Sequence, residues 1–122
     1  MYELTITTTF SSAHNLRGYE GACERLHGHN WKVEVSVSSG KLDRLGMVMD
    51  FRKLKAETAK IIETIDHRYL NEVPPFDSEN PSAENIASFL FKELSTVVND
   101  NAKKISRVRV WESETAAAAY SE

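Results

Sequence analysis

The chain has 122 residues, of which 41% are hydrophobic and 27% are charged, the composition of an ordinary globular protein. The formal net charge of −3 argues against a nucleic-acid partner, and no apolar run approaches the roughly 20 residues that a membrane helix needs. A chain of this length is expected to form a single domain, residues 1–122. One cysteine cannot form an internal disulfide and no secretory leader is recognisable, so a cytoplasmic protein is expected.

The first half of the sequence predicts two strands and a helix. Residues 2–14 alternate between apolar and polar, which is typical of a strand, and residues 15–29 are expected to form a loop. A second alternating segment predicts a strand over 30–39. Asp50 is expected to cap a helix over about 51–65. The apolar stripe of that helix contains Phe51, Leu54, Thr58, Ile61, Ile62 and Ile65.

The second half predicts another helix and two further strands. The proline pair at 74–75 excludes a regular helix over 66–80. Ser82 is expected to cap the second helix, whose apolar stripe is formed by Ile86, Phe89, Leu90, Leu94 and Val97. Alternation predicts a third strand over 105–112, and the tail 115–120 is expected to pair with it, although its alanines also favour helix. This ββααββ order predicts an α+β fold with both helices on one face of an antiparallel sheet.

Three histidines lie in phase with the predicted strands. His27 and His29 stand two apart and would share one face of a strand, and His14 has the same phase in its own segment. If the two strands pair, three imidazoles converge, and three neutral histidines with an open fourth position form the arrangement of a catalytic zinc. Cys23 could close the site as a fourth ligand, act as a thiolate, or be a buried small hydrophobe.

Two further positions carry charge that the pattern does not explain. Asp66 and His67 follow the first predicted helix, and His67 is either a helix-end cap or a proton-transfer group. Neighbouring residues do not face each other on a regular helix, so the two act together only on irregular backbone. Glu112 continues the apolar face of Val108 and Val110, which is costly unless the carboxylate is paired or ligand-bound, or the strand has ended. Such a carboxylate could accept two N–H groups from a guanidine-like heterocycle.

These residues resemble a known family, the 6-pyruvoyl- and 6-carboxytetrahydropterin synthases, over almost the entire chain. The resemblance rests on the order and spacing of six segments, residues 10–14, 23–30, 46–51, 66–67, 81–85 and 111–115. It implies the tunnelling fold, a four-stranded antiparallel sheet with two helices on one face, assembled into an oligomeric barrel. Members are commonly homohexamers, dimers of trimers with active sites at subunit interfaces.

The resemblance also implies roles for single residues. The implied ligands of Zn²⁺ are His14, His27 and His29. The implied catalytic group, contributed by different subunits, is Cys23, Asp66 and His67. Glu112 would anchor the pterin ring of the substrate, 7,8-dihydroneopterin triphosphate. Candidate contacts for the triphosphate are Arg17, Arg25 and Lys32.

The short spacing from Cys23 to the His-Gly-His sequence is similar to that of the bacterial 6-carboxytetrahydropterin synthases of queuosine biosynthesis. These zinc-dependent lyases form 6-carboxy-5,6,7,8-tetrahydropterin, acetaldehyde and triphosphate, whereas pyruvoyl-forming synthases more often have a longer gap and do not cleave the carbon–carbon bond. Branches that carry glutamate instead of the cysteine and cleave dihydroneopterin are disfavoured. A non-catalytic zinc-binding module with one cysteine and three histidine ligands is the alternative from another class. Pro81-Ser82, where threonine is frequent, and the alanine-rich tail depart from the family pattern.

Overall fold

The computed structural model describes residues 1–18 and 25–122. The sheet has the strand order β1-β2-β3-β4, with all neighbours antiparallel, and consists of β1 (Tyr2–His14), β2 (His27–Ser39), β3 (Lys103–Ser113) and β4 (Ala116–Tyr120). Two helices, α1 (Phe51–Ile62) and α2 (Ala83–Val98), lie between β2 and β3 in the chain. The predicted ββααββ order is confirmed. No helix within the described ranges is long and apolar enough to cross a membrane.

The sheet has one apolar and one polar face because side chains alternate along each strand. The buried apolar residues of β2 are Trp31, Val33, Val35 and Val37. Lys32 and Glu34 lie between them on the other face, where Glu34 Oε2 is 3.8 Å from Arg109 Nη1. The apolar face packs against Leu54 of α1 and against the buried side of α2, formed by Ile86, Leu90 and Leu94. The core therefore lies between one face of the sheet and the two helices.

Both helices begin at the predicted caps. Asp50 Oδ1 accepts a hydrogen bond from the Arg52 amide at 2.8 Å, and Ser82 Oγ accepts one from the Asn85 amide at 3.1 Å. Such bonds satisfy amides that have no partner in the first helical turn. Helix α1 ends at Ile62, three residues before the predicted end at 65, because the chain turns there.

Two residues of the predicted stripes are wrong. Phe51 and Val97 are each 53% exposed. Val98 is buried instead of Val97, since positions three and four residues after Leu94 both fit the helical period and the structure selects the latter. Phe51 is the first residue of α1, three residues before buried Leu54, and lies at the margin of the stripe.

The strands extend beyond their predicted limits. Strand β2 begins at His27 rather than at residue 30, because its ladder with β1 continues to the last residue of that strand. The predicted loop 15–29 is correspondingly shorter. The tail forms strand β4, in which Ala118 pairs with Val110, so the strand interpretation of the alanines is confirmed over the helical one. Pairing with β3 outweighs the helix propensity of so short a segment.

Candidate functional site

The ladder between β1 and β2 brings the three histidines together at one end of the sheet. His14, the last residue of β1, pairs directly with His27, the first residue of β2. His29 lies two residues further along the same face. The ring centroids are 4.5 Å apart for His14 and His27, 5.1 Å for His14 and His29, and 4.7 Å for His27 and His29. The predicted convergence is therefore present within a single chain.

Hydrogen bonds at Nδ1 direct two of the imidazoles. His14 Nδ1 is 2.7 Å from the Pro81 carbonyl oxygen, and His27 Nδ1 is 2.7 Å from that of Arg25. A carbonyl oxygen only accepts, so each ring donates Nδ1–H and, when neutral, keeps a lone pair on Nε2. The two Nε2 atoms are 3.0 Å apart. Two lone pairs at that distance repel each other unless a cation lies near both, so the donor set fits a metal ion.

Glu112 of β3 completes this cluster, which we name the His/Glu group (His14, His27, His29 and Glu112). Its Oε1 is 2.8 Å from His29 Nε2, 3.7 Å from His14 Nε2 and 4.0 Å from His27 Nε2. Despite the shortest of these distances, buried His29 Nε2 has no hydrogen bond of acceptable geometry among the described residues. One ligand atom from each residue lies within 4.8 Å of all the others, so the group could bind a metal ion.

Burial keeps part of this group neutral. The pKa of His14 is lowered from its usual 6.5, mainly because burial removes water from the ring, and the hydrogen bond to Pro81 opposes that shift. Burial also lowers the pKa of His29, against the nearby charge of Glu112. Trp31 packs edge-on against both rings, at centroid distances of 4.9 and 5.1 Å. Neutral imidazole is the form that binds a metal.

The predicted Asp66–His67 pair lies on the outer side of β1. The His67 amide donates to the Ser11 carbonyl at 2.6 Å, so this segment runs along the strand edge. His67 has a φ of 55°, in the left-handed region. This irregular backbone lets neighbouring side chains meet, with His67 Nδ1 2.9 Å from Asp66 Oδ1. The objection drawn from regular helices does not apply here.

Asp66 is fixed, whereas His67 is presented outward. Asp66 Oδ1 accepts a hydrogen bond from the Ser11 amide at 2.9 Å, which is the main reason that the pKa of Asp66 is lowered. The His67 side chain is 80% exposed. Donation of Nδ1–H to Asp66 leaves His67 Nε2 free to accept a proton. In the part of the chain that the structure describes, no hydrogen bond or ion pair joins His67 to the His/Glu group.

Two other predicted residues need comment. Cys23 lies outside the described residues, so its predicted place in the catalytic group stays a prediction. Arg17 uses its guanidinium to donate to the carbonyl oxygens of Glu79 at 3.2 Å, Asn71 at 3.1 Å and Phe76 at 2.7 Å. These bonds give Arg17 a role in holding two segments together, which argues against its predicted contact with a triphosphate.

Sequence reasoning missed the partners that orient the histidines. The Pro81 and Arg25 carbonyls belong to the main chain, which every residue has, so no residue type marks them. The closeness of Glu112 to the histidines was also missed, although a signal existed. In the observed register Lys32 pairs with Trp111, which places Glu112 next to the histidine end of β2.

The comparisons with known proteins agree with this geometry. Residues 3–122 match the family model described as 6-pyruvoyl tetrahydropterin synthase. The chain belongs to the 6-pyruvoyl tetrahydropterin synthase family. It is 38% identical over 117 residues to 6-carboxy-5,6,7,8-tetrahydropterin synthase of Synechocystis sp., covering 92% of this chain and 87% of that protein. It is 35% identical over 104 residues to dihydroneopterin monophosphate aldolase of Pyrococcus furiosus, covering 85% and 83% of the two chains.

A solved member of the synthase family shows the same fold. The structure of 6-pyruvoyl tetrahydropterin synthase from Caenorhabditis elegans superimposes with a TM-score of 0.87 at 28% identity, covering 99% of this chain and 95% of that one. The predicted tunnelling fold of a single chain is thereby confirmed, as is the prediction of an enzyme of the tetrahydropterin synthase family.

Proposed function

We propose that this protein is a zinc-dependent 6-carboxy-5,6,7,8-tetrahydropterin synthase. It would convert 7,8-dihydroneopterin triphosphate and water to 6-carboxytetrahydropterin, acetaldehyde and triphosphate, as a cytoplasmic lyase of queuosine biosynthesis. The observation that carries the proposal is the approach of His14 Nε2 and His27 Nε2 to 3.0 Å while both Nδ1 atoms face carbonyl oxygens. The similarity to the Synechocystis protein of that name supports the choice of product.

The metal ligands in this proposal are His14, His27 and His29. A bound divalent cation supplies Lewis acidity, which polarises hydroxyl oxygens of the substrate side chain. Zinc is the first choice because three neutral imidazoles with one further position suit a catalytic zinc, although other divalent ions accept the same donors. The Nδ1 hydrogen bonds of His14 and His27 orient the rings before the ion arrives.

Proton transfer is assigned to His67, with Cys23 as its partner. Asp66 accepts the Nδ1–H of His67 and thereby fixes the ring orientation and the tautomer. His67 Nε2 then takes and returns protons during the redox shift within the substrate and the elimination of triphosphate. The exposure of His67 supports a site that is completed between subunits. We therefore propose a homohexamer, a dimer of trimers, with active sites at its interfaces.

Glu112 is assigned to the pterin ring. Its carboxylate has two oxygens, which match two N–H groups of the ring, and its side chain is 34% exposed, so it remains accessible from outside. Its contribution would be positioning rather than proton transfer. The same carboxylate is close enough to the histidines to serve as a fourth metal donor, and a single substitution separates these two roles.

Glu112→Gln is that substitution. The amide keeps the size of the side chain but loses its charge. If Glu112 anchors the ring, the variant retains the metal and its KM for the pterin rises. If Glu112 is a metal ligand, metal content falls in the metal-loaded protein before any substrate is added. Metal content and KM measured on the same preparation distinguish the two results, and Glu114→Gln, on the exposed turn after β3, serves as the control.

The second candidate is a pyruvoyl-forming synthase, which the family model and the C. elegans structure favour. A third outcome is an aldolase reaction like that named for the Pyrococcus relative. Incubation with 7,8-dihydroneopterin triphosphate, mass spectrometry of the pterin and trapping of released aldehyde test all three. We expect one acetaldehyde for each triphosphate. A pyruvoyl pterin without aldehyde, or cleavage of the monophosphate to a hydroxymethyl pterin, would each contradict the proposed product.

Cys23→Ala tests the alternative of a non-catalytic zinc-binding module. The synthase proposal predicts that the variant keeps its metal and its fold but loses turnover. Loss of zinc together with loss of the fold would instead identify Cys23 as a structural ligand. Circular dichroism and metal analysis read out both properties.

A further inference from the structure

Two asparagines hold the segment that follows His14. Asn80 Oδ1 accepts from the Arg17 amide at 2.9 Å, and Asn80 Nδ2 donates to the Arg17 carbonyl at 3.0 Å. One side-chain amide therefore satisfies both main-chain groups of one residue, as a neighbouring strand would. Asn71 holds Asn15 in the same way, at 3.0 and 2.9 Å. These contacts join positions more than fifty residues apart in the chain.

Asn80 also precedes the residue that orients a metal-ligand candidate. The carbonyl of buried Pro81 accepts Nδ1–H from His14 at 2.7 Å. The proline ring fixes φ at that residue, so the carbonyl direction depends on how its neighbours are held. On one side, the Asn80 carbonyl accepts from Asn85 Nδ2 at 2.8 Å. On the other side, Ser82 caps α2 by accepting from the Asn85 amide.

We propose that Asn80 is a positioning residue for the metal centre, because it fixes the Pro81 carbonyl against residues 15–17 and thereby sets the orientation and tautomer of His14. The inference rests on the proposed function, in which His14 is a metal ligand. Asn80 contacts neither metal nor substrate in this role. Its effect reaches the site through one hydrogen bond, the one from His14 to Pro81.

The geometry requires an amide at this position. An aspartate could still accept from the Arg17 amide, but its second oxygen would face the Arg17 carbonyl, where two acceptors repel each other. Alanine would remove both bonds. The fold has independent support at this point, because the Arg17 guanidinium donates to three carbonyls of residues 71–79. Loss of the Asn80 bonds should therefore shift the Pro81 carbonyl without unfolding the chain.

The test uses the full chain, stripped of metal, as wild type, Asn80→Asp and Asn80→Ala. Zn²⁺ and Co²⁺ dissociation constants are measured by competition with a chromophoric chelator, and Co²⁺ absorption reports the coordination geometry. We expect binding to weaken by about tenfold, the lower end for loss of an outer partner of a metal-bound histidine, with an altered Co²⁺ spectrum. If one variant does not fold, the other still provides the measurement.

Asn99→Ala is the matched control. Asn99 Oδ1 accepts from the Ile105 amide at 2.8 Å, and Ile105 pairs with Val37 at the end of β2 opposite the histidines. Its loss should lower the thermal stability of the metal-free chain without changing metal affinity. If the Asn80 variants behave like Asn99→Ala, Asn80 is only structural and the inference is overturned. If the wild type binds neither ion, the proposed metal centre itself is overturned, a result distinct from equal binding by wild type and variants.

Discussion

The His/Glu group and the Asp66–His67 pair use the same chemical groups in opposite settings. In the first, His14 is 2% exposed and three strands contribute side chains. In the second, His67 is 80% exposed and stands on a turn with left-handed backbone. The first is complete within one chain, whereas the second directs its free nitrogen toward something outside it. The comparison indicates that metal binding belongs to the single chain and that proton transfer depends on its neighbours.

The strongest test of this comparison removes a ligand. His27→Ala should weaken zinc binding by more than about 100-fold, the upper end for loss of an outer partner, because a direct donor is lost. Turnover should disappear with the metal. Chelator competition and metal analysis of the purified protein provide the measurement. Undiminished binding would exclude His27 as a ligand and leave the two sites without the difference described above.

The complementary change is His67→Asn, chosen because asparagine tolerates the left-handed conformation at this position. The variant should bind zinc as the wild type does, yet turnover should fall by about 10²–10⁴-fold, the usual contribution of a general acid–base. Steady-state kinetics of the zinc-loaded protein give the value, and Glu63→Gln, an exposed position at the end of α1, serves as the control. Full activity of His67→Asn would remove the pair from the mechanism.

A smaller effect is expected beneath the His/Glu group. Trp31 Nε1 donates to the Ser12 carbonyl at 3.2 Å. Trp31→Phe leaves that carbonyl without its donor and should lower the free energy of unfolding by about 1–3 kcal/mol. Trp111→Phe is the matched control, because Trp111 Nε1 is buried and has no partner among the described residues. Denaturant unfolding of both should rank Trp31→Phe as the more damaging; the reverse order would contradict this account.

The smallest effect concerns acid stability at the exposed pair. The pKa of Asp66 is lowered from 3.8 on folding, mainly by the hydrogen bond from the Ser11 amide. Its contribution to stability is therefore fully present above pH 3.8 and is lost as the pH falls through the lowered value. Asp66→Asn should flatten the stability profile in that window and leave it unchanged near neutrality, as thermal unfolding across pH would show. An unchanged slope below pH 4 would contradict the assignment.

Local sequence patterns were sufficient for the fold. Alternation located the strands, and Asp50 and Ser82 marked both helix starts, because caps and periodic burial act within a few residues. Errors arose where a pattern allows two answers. Val97 and Val98 both fit the helical period, and only packing against the sheet decides between them. The start of β2 was placed too late because glycine and asparagine beside the histidines favour loops in isolation.

The site divided along the same line. Convergence of the histidines followed from strand parity, since parity and pairing together place three side chains on one face. The supporting contacts did not follow. Asn71 and Asn80 bond to residues 56 and 63 positions away, and such bonds leave no periodic trace in the sequence. The left-handed backbone of His67, which lets it meet Asp66, could be recognised only in the fold.

The pairing of His14 with His27 has a consequence for folding as well as chemistry. The same ladder that aligns these histidines also aligns Ile6 with Val35 and Phe10 with Trp31 in the core. A slip of one residue would turn every side chain of a strand to the opposite face, so it would disperse the histidines and expose the core together. Metal uptake thus reports correct strand alignment: a chain that binds the ion has, by that fact, paired its first two strands in the native register.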